Sequence, residues 1–241
     1  MTLLAQYRPR RATEILDASV RIYGAHWTAL LLISAAVVAP PAALGAIAPE
    51  GLGRFIDLAG NLLLPVGQGA ISLVVAAALE ERPIDAGEAF AGLTGRVGTL
   101  VWLQFAAGLL IAVGLILLVV PGILALVWTA VALPAAAIER VPTGKALRRS
   151  RALARGHAGH VLATLGLAFV LVIALFLGSG LAVGALTAAL GLGDRLVGFL
   201  GALLFVPLFP LFAVAVTLLY FDLRVRREGA DLEAMAAALP A

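Results

Sequence analysis

The chain has 241 residues, of which 62% are hydrophobic and 13% charged, with a formal net charge of +3 and no cysteine. Soluble domains run near half apolar and a quarter charged. This composition therefore excludes an ordinary soluble globule, and the absence of cysteine excludes disulfides and thiolate metal sites.

The first 26 residues are polar and amphipathic, with no short apolar stretch leading to a small-residue cleavage site, so the first span is expected to act as its own targeting signal. Within them, "TEILDASVRIYGAHW" reads as an interfacial helix. Ile15, Ala18, Ser19 and Ile22 share one face, Glu14, Asp17 and Arg21 the other, and Asp17 and Arg21 are spaced to pair. Six apolar runs follow: Trp27 to Ala48, Leu58 to Leu79, Val97 to Val120, Pro121 to Ile138, Val161 to Leu190 and Leu196 to Phe221. None contains a formal charge, and crossing about 30 Å of hydrocarbon takes about 20 helical residues. The runs lack the alternation of barrel strands, which predicts an all-α, six-span polytopic membrane protein. The whole chain is expected to form one membrane domain, with residues 1–26 cytosolic or interfacial, 27–221 spanning and 222–241 a cytosolic tail.

Between the spans, "DAGEAFAGLTGR" opens with Asp85 and Glu88 at capping-box spacing, with Ala86, Ala89, Phe90 and Leu93 on one face. Pro121-Gly122 divides an otherwise continuous apolar stretch and reads as a tight turn, with Pro121 opening the next helix. The connection after the fourth span, "KALRRSRALARGHAGH", is the most basic part of the chain. Lys145, Arg148, Arg149, Arg151 and Arg155 fall on one arc of a helical wheel, opposite Ala146, Leu147, Ser150, Leu153 and Ala154, with Thr143 as the expected N-cap. Such a helix lies in the interface and turns its cations to lipid headgroups. Nucleic acid is not expected as a partner, since stacking aromatics are missing. His157 and His160 are three apart, but no third ligand or H-E-x-x-H pattern accompanies them. With His26, they read as interfacial residues at helix starts, so neither metal nor cofactor is expected.

Three interfacial helices, each leading into a two-span hairpin, suggest an internal repeat. "AALEERP" at 77–83 resembles "AAIERVP" at 136–142, matching Glu80 with Glu139 and Pro83 with Pro142. Gln68 and Gln104 are the most notable polar residues within the spans, ahead of Asn61, Thr129 and Thr164; they either bond neighbouring helices or line a substrate path. Gly180, Gly184 and Ala188 form a small-residue stripe expected to pack inside the bundle. Pro40, Pro41, Pro65, Pro134, Pro207 and Pro210 are expected to kink their helices.

Fifteen of the seventeen Lys and Arg residues fall in the N-terminal segment, the second and fourth connections and the tail, leaving only Arg54 and Arg195 on the other side. The positive-inside rule then predicts cytosolic termini. Sixteen arginines against one lysine, with heavy Ala and Gly use, point to a GC-rich prokaryotic genome and hence to the cytoplasmic (inner) membrane. In the tail string "YFDLRVRREGADLE", Tyr220 and Phe221 fit an aromatic belt, and the charges after them a solvated exit.

That string, the "VVPG" turn at Val119 to Gly122, and the pattern of Glu139, Ala146, Ser150, Leu153 and Gly156 resemble bacterial membrane proteins related to the glycerophosphodiester phosphodiesterase membrane domain. Stand-alone members of that family without assigned function are included in the likeness, which covers most of the chain. In fused relatives a separate soluble barrel performs hydrolysis, and six spans leave no room for it here. The resemblance therefore implies no activity and no site residues. The sequence supports a non-enzymatic integral membrane protein associated with lipids, anionic on the cytosolic side, as an accessory or scaffold. The alternative is a transporter or an amphiphile-handling protein, which a cavity joining Gln68 and Gln104 would favour. A headgroup enzyme is a third reading; Glu80, Glu81, Asp85, Glu88 and Glu139 are its nearest carboxylates, at no recognised spacing.

Overall fold

The computed structural model describes residues 9–229; Arg8 and the end of the tail string lie outside the described residues. Those residues form α-helices and no strand. Six helical segments are long and apolar enough to cross a membrane, as the hydropathy runs predicted.

Three units follow one plan. In the first, α1 (Ala12–Ala25) leads into α2 (Trp27–Ile47), then α3 (Glu50–Asn61) and α4 (Leu64–Leu79). In the second, α5 (Ala86–Ala91) leads into α6 (Val97–Leu117), then α7 (Val119–Thr129) and α8 (Ala132–Ile138). In the third, α9 (Thr143–Ala154) leads into α10 (Ala158–Ala189) and α11 (Asp194–Glu228).

The backbone repeats as well as the order. The residues that open α2, α6 and α10 are His26, Arg96 and His157, with φ of −122°, −118° and −120°. The matched strings also carry matched strain. Glu81 and Arg140 occupy the same place in them, and both take the left-handed conformation, at φ 54° and 53°. Non-glycine residues rarely adopt it. At Glu81 it closes a Schellman cap, in which the Arg82 N–H bonds the Ala77 carbonyl at 2.9 Å.

The interfacial helices bury the faces read from the sequence. Ile15, Ala18 and Ser19 of α1, Ala89 of α5, and Ala146, Ser150, Leu153 and Ala154 of α9 are all buried. The α5 capping box forms: the Glu88 N–H donates to Asp85 Oδ1 at 2.8 Å, and the Asp85 N–H to Glu88 Oε2 at 3.3 Å. Asp17 and Arg21, in contrast, stay exposed and make no ion pair among the described residues. An exposed i,i+4 pair contributes only about 0.3–0.5 kcal/mol, so little is lost. Thr143 is the first residue of α9 rather than its cap; the cap is Pro142, and the Thr143 hydroxyl donates to the Thr99 carbonyl at 3.3 Å.

Three spans differ from their expected shape. The second is broken at Leu62–Leu63, because Pro65 enters the first turn of α4 and Leu63 sits before it as cap. The fourth is broken between Thr129 and Ala132, with Pro134 in the first turn of α8. The α6–α7 turn falls at Leu118, whose φ of −167° and ψ of 151° are extended, a few residues ahead of the expected Pro121-Gly122. Pro121 lies inside the first turn of α7, where its missing N–H removes no helical bond. Gly122 serves a different purpose: it meets Gly114 at the helix crossing, and a Cβ on Gly114 would lie 2.8 Å from the Gly122 Cα.

Among the spans, α4 is the most buried, and α6 and α10 are mostly exposed to the lipid region. At 32 residues α10 is about 48 Å long, more than the hydrocarbon thickness. The small-residue stripe on α10 does not pack inside the bundle. Cβ atoms built at Gly180 and Gly184 meet nothing within 4 Å, and Ala188 is exposed. The stripe lies on the outer side of an outer helix, which its spacing could not reveal.

Candidate functional site

A seam of polar groups joins α4 to α11. Gln68 Nε2 donates to the Ala213 carbonyl at 3.3 Å, and the Ser72 and Thr217 hydroxyls are 3.0 Å apart. Gln68 is 7% exposed. Its amide orientation is fixed by chemistry, because a carbonyl can only accept. The Gln68 Oε1 is therefore left without a partner among the described residues.

Gln68 belongs to the wall of a cavity of about 350 Å³. Gln68 and Gln104 both line it, together with Thr129 and an aromatic stripe of Phe205, Phe209 and Phe212 on α11. Phe205 and Phe209 stack tilted, with ring centroids 5.7 Å apart. On α6 the lining residues are Leu103, Gln104, Ala107, Gly108 and Ile111, a helical stripe whose two small members open the space. Gln104 and Gly108 are exposed, so the cavity opens on the side of the bundle. The α7–α8 break contributes Thr129, Ala130 and Ala132.

Gln104 sits seven residues beyond Val97, about 10 Å along α6 from its start. Its amide makes no hydrogen bond among the described residues. An unpaired amide outside water costs about 1–3 kcal/mol on the scale of protein substitutions. The Thr129 hydroxyl is already committed to the Ala125 carbonyl at 2.8 Å. The cavity thus has apolar walls and two carboxamides with free hydrogen-bonding capacity.

The five cations proposed for headgroups divide into two sets. Lys145, Arg148 and Arg151 are exposed on α9, and Arg155 on its C-cap; of these only Arg151 also has an aromatic contact. Arg149 instead binds Glu139 at 2.7 Å and also pairs with Glu228. Burial opposes the charge on Arg149, but the bonds to those two carboxylates outweigh it and raise its pKa. Arg151 lies 4.1 Å from the Trp128 ring centroid, a cation–π contact. Between them, Ser150 is fully buried and its hydroxyl accepts the Val131 N–H freed by the α7–α8 break, at 3.2 Å. The apolar face of this helix is therefore seated on the bundle, and four of the five cations are exposed.

The last two turns of α11 hold the units together. The Tyr220 hydroxyl donates to Glu139 Oε1 at 2.7 Å. Asp222 accepts the backbone N–H of Arg10 at 2.5 Å, His160 Nε2 at 2.8 Å and Arg226 Nε at 2.6 Å. Arg226 Nη2 donates in turn to the Arg10 carbonyl at 2.7 Å. The expectation of an aromatic anchor and a solvated exit is overturned at both positions. Tyr220 is fully buried and Asp222 is 4% exposed, because their partners come from the C-cap of α8, α10 and the segment before α1. Helix α11 also continues to Glu228, so residues 222–228 extend the last span. No group of three His, Asp or Glu stands where it could share a metal ion among the described residues.

The resembling motifs have structural roles here: Gly122 permits the crossing, Gly156 takes φ 81°, and Ala146, Ser150 and Leu153 are buried. All of this describes an all-α, multi-pass membrane protein with a side cavity and a polar clamp. No family model, curated protein or solved structure matches the chain.

Neutralising Lys145, Arg148 and Arg155 together is expected to weaken cosedimentation with anionic vesicles severalfold while leaving the melting temperature unchanged. Arg149→Ala is expected to lower the melting temperature instead. Unaltered vesicle binding by the triple variant would remove these side chains as headgroup contacts.

Proposed function

We propose that this protein binds a membrane amphiphile in the side cavity, and so handles lipid rather than serving only as a scaffold. The observation that carries this reading is the cavity joining Gln68 and Gln104, two carboxamides in an otherwise apolar wall. Ligand cavities of roughly 300–1,000 Å³, mostly apolar with a few placed polar groups, are the usual form of small-molecule sites. The proposal includes a non-enzymatic role, cytosolic termini in a prokaryotic inner membrane, and exposed Lys145, Arg148 and Arg155 set against anionic headgroups. Descent from the glycerophosphodiester phosphodiesterase membrane domain is proposed on the shared motifs alone.

Gly108 provides the test. A Cβ there meets nothing within 4 Å, so Gly108→Leu extends into open cavity without a backbone clash. Leucine also favours the helix over glycine by about 0.5–1 kcal/mol. Native mass spectrometry of the gently extracted protein is expected to find a stoichiometric amphiphile, and the Gly108→Leu protein is expected to lose it at unchanged or higher stability. A bare protein, or one carrying another polypeptide, would return the argument to the scaffold reading.

A further inference from the structure

Resting on the cavity reading, we infer that the occupant presents an uncharged hydroxyl on a single apolar chain: a lipid alcohol of the monoacylglycerol kind, rather than a fatty acid or a phospholipid. Three observations define this chemistry. None of the cavity-lining residues is ionisable. A carboxylate, phosphate or ammonium drawn into the wall would lose its hydration with no countercharge to replace it. The head that reaches the glutamines is therefore neutral.

The second observation is the free capacity of the two amides. The Nε2 of Gln68 is held by the Ala213 carbonyl, which leaves Oε1 as an acceptor with no donor among the described residues. The Gln104 amide has both its N–H groups and its oxygen free among the described residues. An ester or ketone oxygen could satisfy Gln104 but not Gln68 Oε1, and a carboxylate or phosphate diester has no proton to give. A hydroxyl both donates and accepts. It therefore has the capacity that either amide lacks a partner for.

The third is size and lining. At about 350 Å³ the cavity lies near the small end of ligand sites, with space for one chain segment against Phe205, Phe209 and Phe212 rather than two. Its exposed rim at Gln104 and Gly108 gives such a chain access from the bilayer.

The experiment compares three probes with the same chain: 1-monooleoylglycerol, oleate and oleoyl-lysophosphatidylglycerol. They are presented to the delipidated full chain and to its Gln104→Leu and Gly108→Leu variants, with binding read by native mass spectrometry. Gln104 makes no hydrogen bond among the described residues that Leu would remove, so the first variant should fold as the parent does. Monooleoylglycerol is expected to bind at least tenfold more tightly than either anion, and to lose at least tenfold in both variants. Oleate or the lysophospholipid binding as tightly, with the same loss in both variants, would overturn the alcohol assignment and leave the cavity reading standing. Binding of all three probes unaffected by Gly108→Leu would overturn the cavity reading itself, and the assignment with it.

Discussion

Asp222→Ala is expected to lower the stability of the folded protein by about 3–5 kcal/mol, the scale for removing one partner of a buried charge pair. The Asp222 side chain is 1% exposed and is the common acceptor for His160, Arg226 and the Arg10 N–H. Alanine leaves all three donors without the carboxylate, two of them on side chains that water reaches poorly. Arg226 keeps only its bond to the Arg10 carbonyl. Asp222→Asn should fall between, since it keeps the shape and one acceptor but turns a donor toward donors. Thermal unfolding of the purified variants measures the effect. A loss under about 1 kcal/mol for the alanine variant would mean that the carboxylate is not held as described.

Gly122→Val is expected to disturb both stability and ligand retention. A Cβ at Gly122 would lie 2.8 Å from the Leu115 backbone nitrogen, a distance that a side-chain rotation cannot relieve. Helices α6 and α7 must part to admit it, and overpacking of this kind typically costs about 1–3 kcal/mol. Gln104 lies on α6 and Thr129 on α7, so parting the pair also reshapes the cavity between them. The contrast with Gly108→Leu is the informative part. That substitution should remove the amphiphile alone, whereas Gly122→Val should lower the melting temperature by several degrees as well. Parent-like stability in Gly122→Val would show that the hairpin does not cross tightly at this residue.

What the sequence made legible follows from how local each signal is. Hydropathy is summed over consecutive residues, so six spans could be counted directly. The α5 capping box needs only Asp85 and Glu88, three positions apart. The buried faces of α1 and α9 are written in their own periodicity. The breaks at Leu62–Leu63 and Ala130–Val131 were hidden inside apolar runs, where Pro65 and Pro134 read as kinks rather than helix starts. Asp222 looked solvated because two of its partners lie 62 and 212 residues away. Gln68 and Gln104 were singled out as polar residues in apolar spans, but only the packing of α4 beside α6 puts them on one cavity. The stripe of Phe205, Phe209 and Phe212 was visible at helical spacing, and set against those glutamines it could have suggested a lined site.

The bond between Arg10 and Asp222 also bears on the order of events at the ribosome. Its partners are separated by 212 residues, and at roughly 5–20 residues per second about 10–40 s of synthesis elapse between them. Through that interval α1 has no α11 to cover Ile15 and Ala18. An amphipathic helix in that position rests on the bilayer surface, apolar side down. Helix α1 is therefore made well before α10 and α11, the helices it is chiefly seated against.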